Sequence, residues 1–122
     1  MILLTNNPLV KDTFEGKIKV EFLDCNYISV LTKCRDYIHK GFKILTHPLS
    51  GSIKPNETPY KSILIENIGK LDIDSLLIIE KSIETTNKFN RNFKTPNWSE
   101  KILKDFQIVD LDLIKNAIEK NV

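Results

Sequence analysis

An α/β fold is what the sequence predicts: a small, mainly parallel sheet of about four strands, flanking helices and a helical C-terminal third. Two observations carry it. Short apolar runs at Ile2–Thr5, Phe42–Thr46 and Ser62–Glu66, with a period-2 segment at Lys17–Leu23, alternate with helical spacing at Tyr27–Ile38. From Asp72 onward helical spacing dominates to the end of the chain. No repeat, low-complexity tract or linker divides residues 1–122, so one domain is expected.

Ile2 to Thr5 has no partner at helical spacing and reads as a buried strand. Asn7 then suits an N-cap, Pro8 the first helical position, and Gly16 a left-handed end to a short helix. Ile18, Val20 and Phe22 alternate with Lys19 and Glu21, as in a strand at or near a sheet edge. Tyr27, Val30, Leu31, Cys34, Tyr37 and Ile38 form one helical stripe, which Gly41 ends. Strands at Phe42–Thr46 and Ser62–Glu66 follow; the loop between them leaves the direction of the second open.

Asp72 suits the cap of a helix from Ile73 to Asn92, with Leu76, Leu77, Ile79, Ile83 and Phe89 toward the core. Thr95-Pro96 is expected to restart a helix carrying Trp98, Ile102, Leu103 and Phe106, and Leu113, Ile114, Ala117 and Ile118 to carry another. Ile108–Asp110 between them reads as a kinked connection rather than a fifth strand.

Composition excludes several classes of function. A net charge of +2, from 18 basic and 16 acidic residues, is too balanced to point to nucleic acid. No apolar run approaches the ~20 residues of a membrane span. The amino terminus lacks the basic and apolar regions of a secretory signal, so a cytoplasmic protein is expected, with Cys25 and Cys34 as reduced thiols. The basic, aromatic stretch Lys88–Lys94 reads as the cationic end of a helix rather than a single-strand binder.

Right-handed crossovers favour the order 2-1-3 for the first three strands, which sets Thr5-Asn6-Asn7 beside the loop after the third strand. That loop holds Thr46, His47, Ser50, Gly51, Ser52, Lys54, Asn56, Glu57, Tyr60 and Lys61. Backbone amides at its turns and at the first helix are anion donors, and Lys54 or Lys61 would neutralise a carboxylate or phosphate. The plainer alternative is a loop whose serines and asparagines satisfy their own backbone. His47 as base, Ser50 or Ser52 as nucleophile and Glu57 as orienting group would make a hydrolase or transferase, but no nucleophile elbow supports them. Cys25, Cys34, His39 and His47 fit no zinc spacing, so no metal is expected.

Thr5-Asn6-Asn7-Pro8, with Thr46-His47-Pro48-Leu49-Ser50-Gly51-Ser52 running on to Lys54-Pro55-Asn56-Glu57-Thr58-Pro59-Tyr60-Lys61-Ser62, resembles the GrdX family. Genes of that family accompany glycine, sarcosine and betaine reductase systems in amino-acid-fermenting anaerobes. The resemblance implies a pathway and no activity, since the family has no assigned biochemical function. The expectation is therefore an accessory or regulatory protein binding a small anionic metabolite at residues 5–8 and 46–61, without a cofactor. The alternative is an interaction module docking on a reductase subunit through Tyr60 or Trp98, and an apolar C-terminal helix pair would suit a homodimer.

Overall fold

A computed structural model describes residues 1–51 and 54–121. Among them, strands β1 (Ile2–Thr5), β2 (Lys19–Phe22), β3 (Phe42–Ile44) and β4 (Ser62–Asn67) form one sheet in the order β2-β1-β4-β3. Helices α1 (Pro8–Phe14), α2 (Tyr27–His39), α3 (Ile73–Asn92) and α4 (Glu100–Asn121) cover it. β1 pairs with β2 in parallel, while β4 runs antiparallel to both β1 and β3. The sheet is thus mixed rather than mainly parallel, and β4 displaces β3 from the place beside β1 that the order 2-1-3 gave it.

The correction has a physical cause. A parallel partner needs a crossover, and the segment between β3 and β4 supplies no helix among its described residues. β4 also carries Ile63, Leu64 and Ile65 in succession, all fully buried, so it takes a central position covered on both faces. The charged alternation of β2 goes to an edge, where Lys19 reaches solvent.

Each face of the sheet has its own core. Ile2, Leu4, Ile63 and Ile65 meet Tyr27, Val30, Leu31, Cys34 and Ile38 of α2 and Ile79 of α3. Leu3 and Leu64 point the other way, to Val10 and Phe14 of α1 and Ile114 and Ile118 of α4. Asn7 caps α1 by accepting from Leu9 N–H, and Asp72 caps α3 by accepting from Ser75 N–H.

Three helical expectations change. No helix restarts at Thr95-Pro96: α4 begins at Glu100 and leaves Trp98 outside it. Leu77 is 64% exposed, and α3 instead buries Ile79 together with the small residues Ser75, Ser82 and Thr86, and packs on α2. Ser75 Oγ accepts from the Ile44 amide. Residues 100–121 form one uninterrupted helix with no kink at Ile108–Asp110. Nothing in that segment forces a break: it holds no proline or glycine, and Asp110 serves inside the helix rather than as a stop.

Candidate functional site

The site grows from strand register. Thr5 lies opposite Ser62, two residues along from the Leu3 and Leu64 pair and so on the same face, and both hydroxyls face α4. On α4, Asp110, Ile114 and Ile118 are buried at four-residue spacing, which carries the helix's inner stripe from the apolar core onto these hydroxyls. Ser62 Oγ donates to Asp110 Oδ2 at 2.7 Å, and Asn7 Nδ2 donates to the same oxygen at 3.0 Å. With Ser62's proton so committed, Thr5 is the donor in the 2.7 Å Thr5–Ser62 bond, and Thr5 Oγ1 accepts from the Asn7 amide. Hydrogen bonds thus run in a closed ring through Asn7, Thr5, Ser62 and Asp110, all at most 5% exposed.

Asn6 fixes the neighbouring strand entry. Its Oδ1 accepts from the Lys61 amide at 2.9 Å, and its Nδ2 donates to the Pro59 carbonyl at 2.7 Å and the Cys25 carbonyl at 3.0 Å. These bonds hold Lys61 at the mouth of β4 with 4% of its surface exposed. Lys61 Nζ donates to Ser50 Oγ at 3.1 Å and to the Ser50 carbonyl at 3.3 Å, both neutral oxygens. Burial lowers its pKa to about 8, although the Asp110 charge opposes the shift.

Lys61, Ser50, Tyr27, Thr58, Tyr60 and Asp110 line a cavity of about 20 Å³, room for one water molecule, closed on its far side by Phe106, Val109 and Leu113. The Tyr60 phenol accepts from Gln107 Nε2 at 2.9 Å, and its own proton has no acceptor among the described residues. Tyr27, by contrast, gives its proton to the Pro48 carbonyl; burial, with the Asp110 charge second, raises its pKa. Gly51 lies against this wall with a φ of +99°, and a Cβ there would come within 2.8 Å of Leu113 Cδ1.

A family model described as GrdX-like protein matches residues 2–119. The chain belongs to the GrdX-like family. No curated protein and no solved structure matches it.

In this GrdX-like chain the residues expected to form one cleft divide into two groups. Ser50, Gly51, Tyr60 and Lys61 line the cavity. Thr5, Asn6, Asn7 and Thr46 are buried and committed to the fold, Thr46 Oγ1 accepting from the Leu64 amide. Asn56 is buried with Oδ1 unpartnered among the described residues, Lys54 is exposed, and Glu57 gives its carbonyl to Trp98 Nε1 at 2.6 Å. Ser52 lies outside the described residues.

His47 is exposed and accepts from the Leu49 amide through Nδ1, with no hydrogen bond to the Ser50 hydroxyl or to Glu57. The alternative set of His47, Ser50 and Glu57 is therefore not joined by hydrogen bonds; Ser50 Oγ meets Lys61 instead, and Ser52, the other candidate nucleophile, lies outside the described residues. Trp98 stands edge-on to Phe106 at 5.5 Å, so it and Tyr60 are tied into the loop rather than free. Cys34 is fully buried, and burial pushes its thiol up to about 12.

Sequence reasoning missed Asp110, assigning it to a kink. Its signal was present: it stands four residues before Ile114 and eight before Ile118, in phase with the apolar stripe. A carboxylate at a core position implies donors aimed at it.

Proposed function

We propose that the chain is an accessory or regulatory protein of a glycine, sarcosine or betaine reductase system that binds a small carboxylate or phosphate at Lys61. One observation carries the reading. Lys61 is a buried ammonium beside a cavity, its bonds go only to neutral oxygens of Ser50, and no carboxylate among the described residues lies within 4.0 Å of it. A buried cation so placed is costly, and an anion relieves the cost by exchanging neutral acceptors for charge-assisted ones. The Tyr60 proton, which has no acceptor among the described residues, supplies a second donor, and the small space lined by Phe106, Val109 and Leu113 favours a small ligand. Because the free space holds only one water, the anion displaces the Ser50 oxygens from Nζ.

A thermal-shift series with glycine, sarcosine, betaine, acetate, acetyl phosphate and phosphate tests this. At 100 times its Kd a ligand adds about 2.7 kcal/mol, a rise of several degrees in a chain of this size. Lys61→Met is expected to abolish the rise. Equal stabilisation of wild type and variant would sink the assignment.

A further inference from the structure

We infer that Ser50 and Lys61 form a nucleophile and general-base pair that hydrolyses small acyl esters or thioesters. The inference rests on the anion reading of Lys61, because the carboxylate product is then the anion that Lys61 holds. Ser50 Oγ and Lys61 Nζ stand 3.1 Å apart, inside the hydrogen-bonding reach that proton transfer requires. Ser50 is exposed while Lys61 is buried, so substrate reaches the hydroxyl from outside while the base stays behind it, away from water. The second Lys61 bond, to the Ser50 carbonyl, fixes the amine against the residue it would activate.

A lysine near pH 8 is deprotonated often enough to act as a base at neutral pH, as unburied lysine is not. The titratable groups lining the cavity around it are Asp110 from α4, Tyr27 from α2 and Tyr60 from its own segment. Tyr60 lines the same cavity, its phenolic proton has no acceptor among the described residues, and it would be the donor to the oxyanion that develops as the acyl carbonyl is attacked.

The steps balance. Neutral Lys61 takes the Ser50 hydroxyl proton as Oγ bonds to the acyl carbon. The carbon–oxygen or carbon–sulfur bond then breaks, and the proton passes from Lys61 to the departing alkoxide or thiolate. Water attacks the acyl-serine and gives a proton to Lys61; the bond from Oγ to the acyl carbon breaks and Oγ recovers that proton, after which the acid gives its remaining proton to the neutral Lys61 and is held there as carboxylate. The small space beside Lys61, lined by Phe106, Val109 and Leu113, selects for a small acyl group.

The test is labelling of the full chain with a small alkyl fluorophosphonate, followed by peptide mass mapping across a pH series. The expected result is an adduct on Ser50 whose rate rises with a midpoint near pH 8, background labelling in Ser50→Ala, and a loss of at least a hundredfold in Lys61→Met. Lys61→Arg keeps the charge but cannot act as a base, so it should lose labelling while keeping the anion-induced thermal shift. No Ser50 adduct in the wild type overturns the inference, and so does a midpoint near 6.5, the ordinary imidazole range. If anions still stabilise the wild type in that case, the binding reading stands alone; if labelling occurs without anion stabilisation, the binding reading falls and the link to it with it.

Discussion

Asp110 holds the start of β4 and the N-cap of α1 through two hydrogen bonds on one oxygen, and the carboxyl end of β1 through Ser62. Asp110→Ala takes the acceptor from the Ser62 hydroxyl and from one of the two Asn7 amide protons, the other staying on the Gln107 carbonyl, and should lower stability by about 2–4 kcal/mol in denaturant titration. Asp110→Asn keeps an acceptor oxygen and should cost less. Lys61 makes a separate prediction about pH. Its folded pKa of about 8 lies below the ordinary 10.5, so the unfolded chain binds the extra proton between those values and stability rises with pH there. The cost is present in full below about pH 8, on the order of 3 kcal/mol. Cys34 works the other way: raised from 9.0 to about 12, it contributes stability that is lost as pH climbs past 9. The difference between wild type and Lys61→Met cancels Cys34. It should move in favour of the wild type from pH 8 to 10, and a flat difference would show that Lys61 titrates normally.

At the scale of elements, α1 and α2 were legible because their caps, Asn7 and the Gly41 stop, coincide with a change of period, and both form over nearly the expected residues. β4 was legible as a strand but not in direction, since pairing is decided by a partner about sixty residues away and not by its own pattern. The cavity was legible only in part. Ser50 and Lys61 announced themselves by type, whereas the commitment of Asn6 and Asn7 to the fold depends on contacts with Lys61 and Asp110 that no local pattern encodes. α4 was misread because polar residues at 110 and 112 mask its phase. That phase can be checked directly. Ile114, 3% exposed, should cost about 2–5 kcal/mol on change to Ala, and Ile108, 50% exposed, less than about 0.5 kcal/mol. Comparable losses at the two positions would be incompatible with a continuous helix in this phase.

For the whole molecule, the sheet order places β1 and β4 at the centre and β2 and β3 at the edges. Amide exchange should follow: Leu3, Leu4, Ile63, Leu64 and Ile65 should open only with global unfolding, and Lys19 and Lys43 well before. Protection at the edges equal to that at the centre would contradict the order. The ring of hydrogen bonds through residues 5, 7, 62 and 110 adds a consequence for how the chain is made. During synthesis from the amino terminus, Thr5 and Asn7 appear first, Ser62 well after them, and Asp110 later still. Until α4 arrives, the hydroxyls and the cap amide stay wet and the wall formed by Phe106, Val109 and Leu113 does not exist. A nascent chain stopped before α4 therefore has Lys61 in water with an ordinary amine. Among the described helices, the one synthesised last is the one that makes that amine unusual.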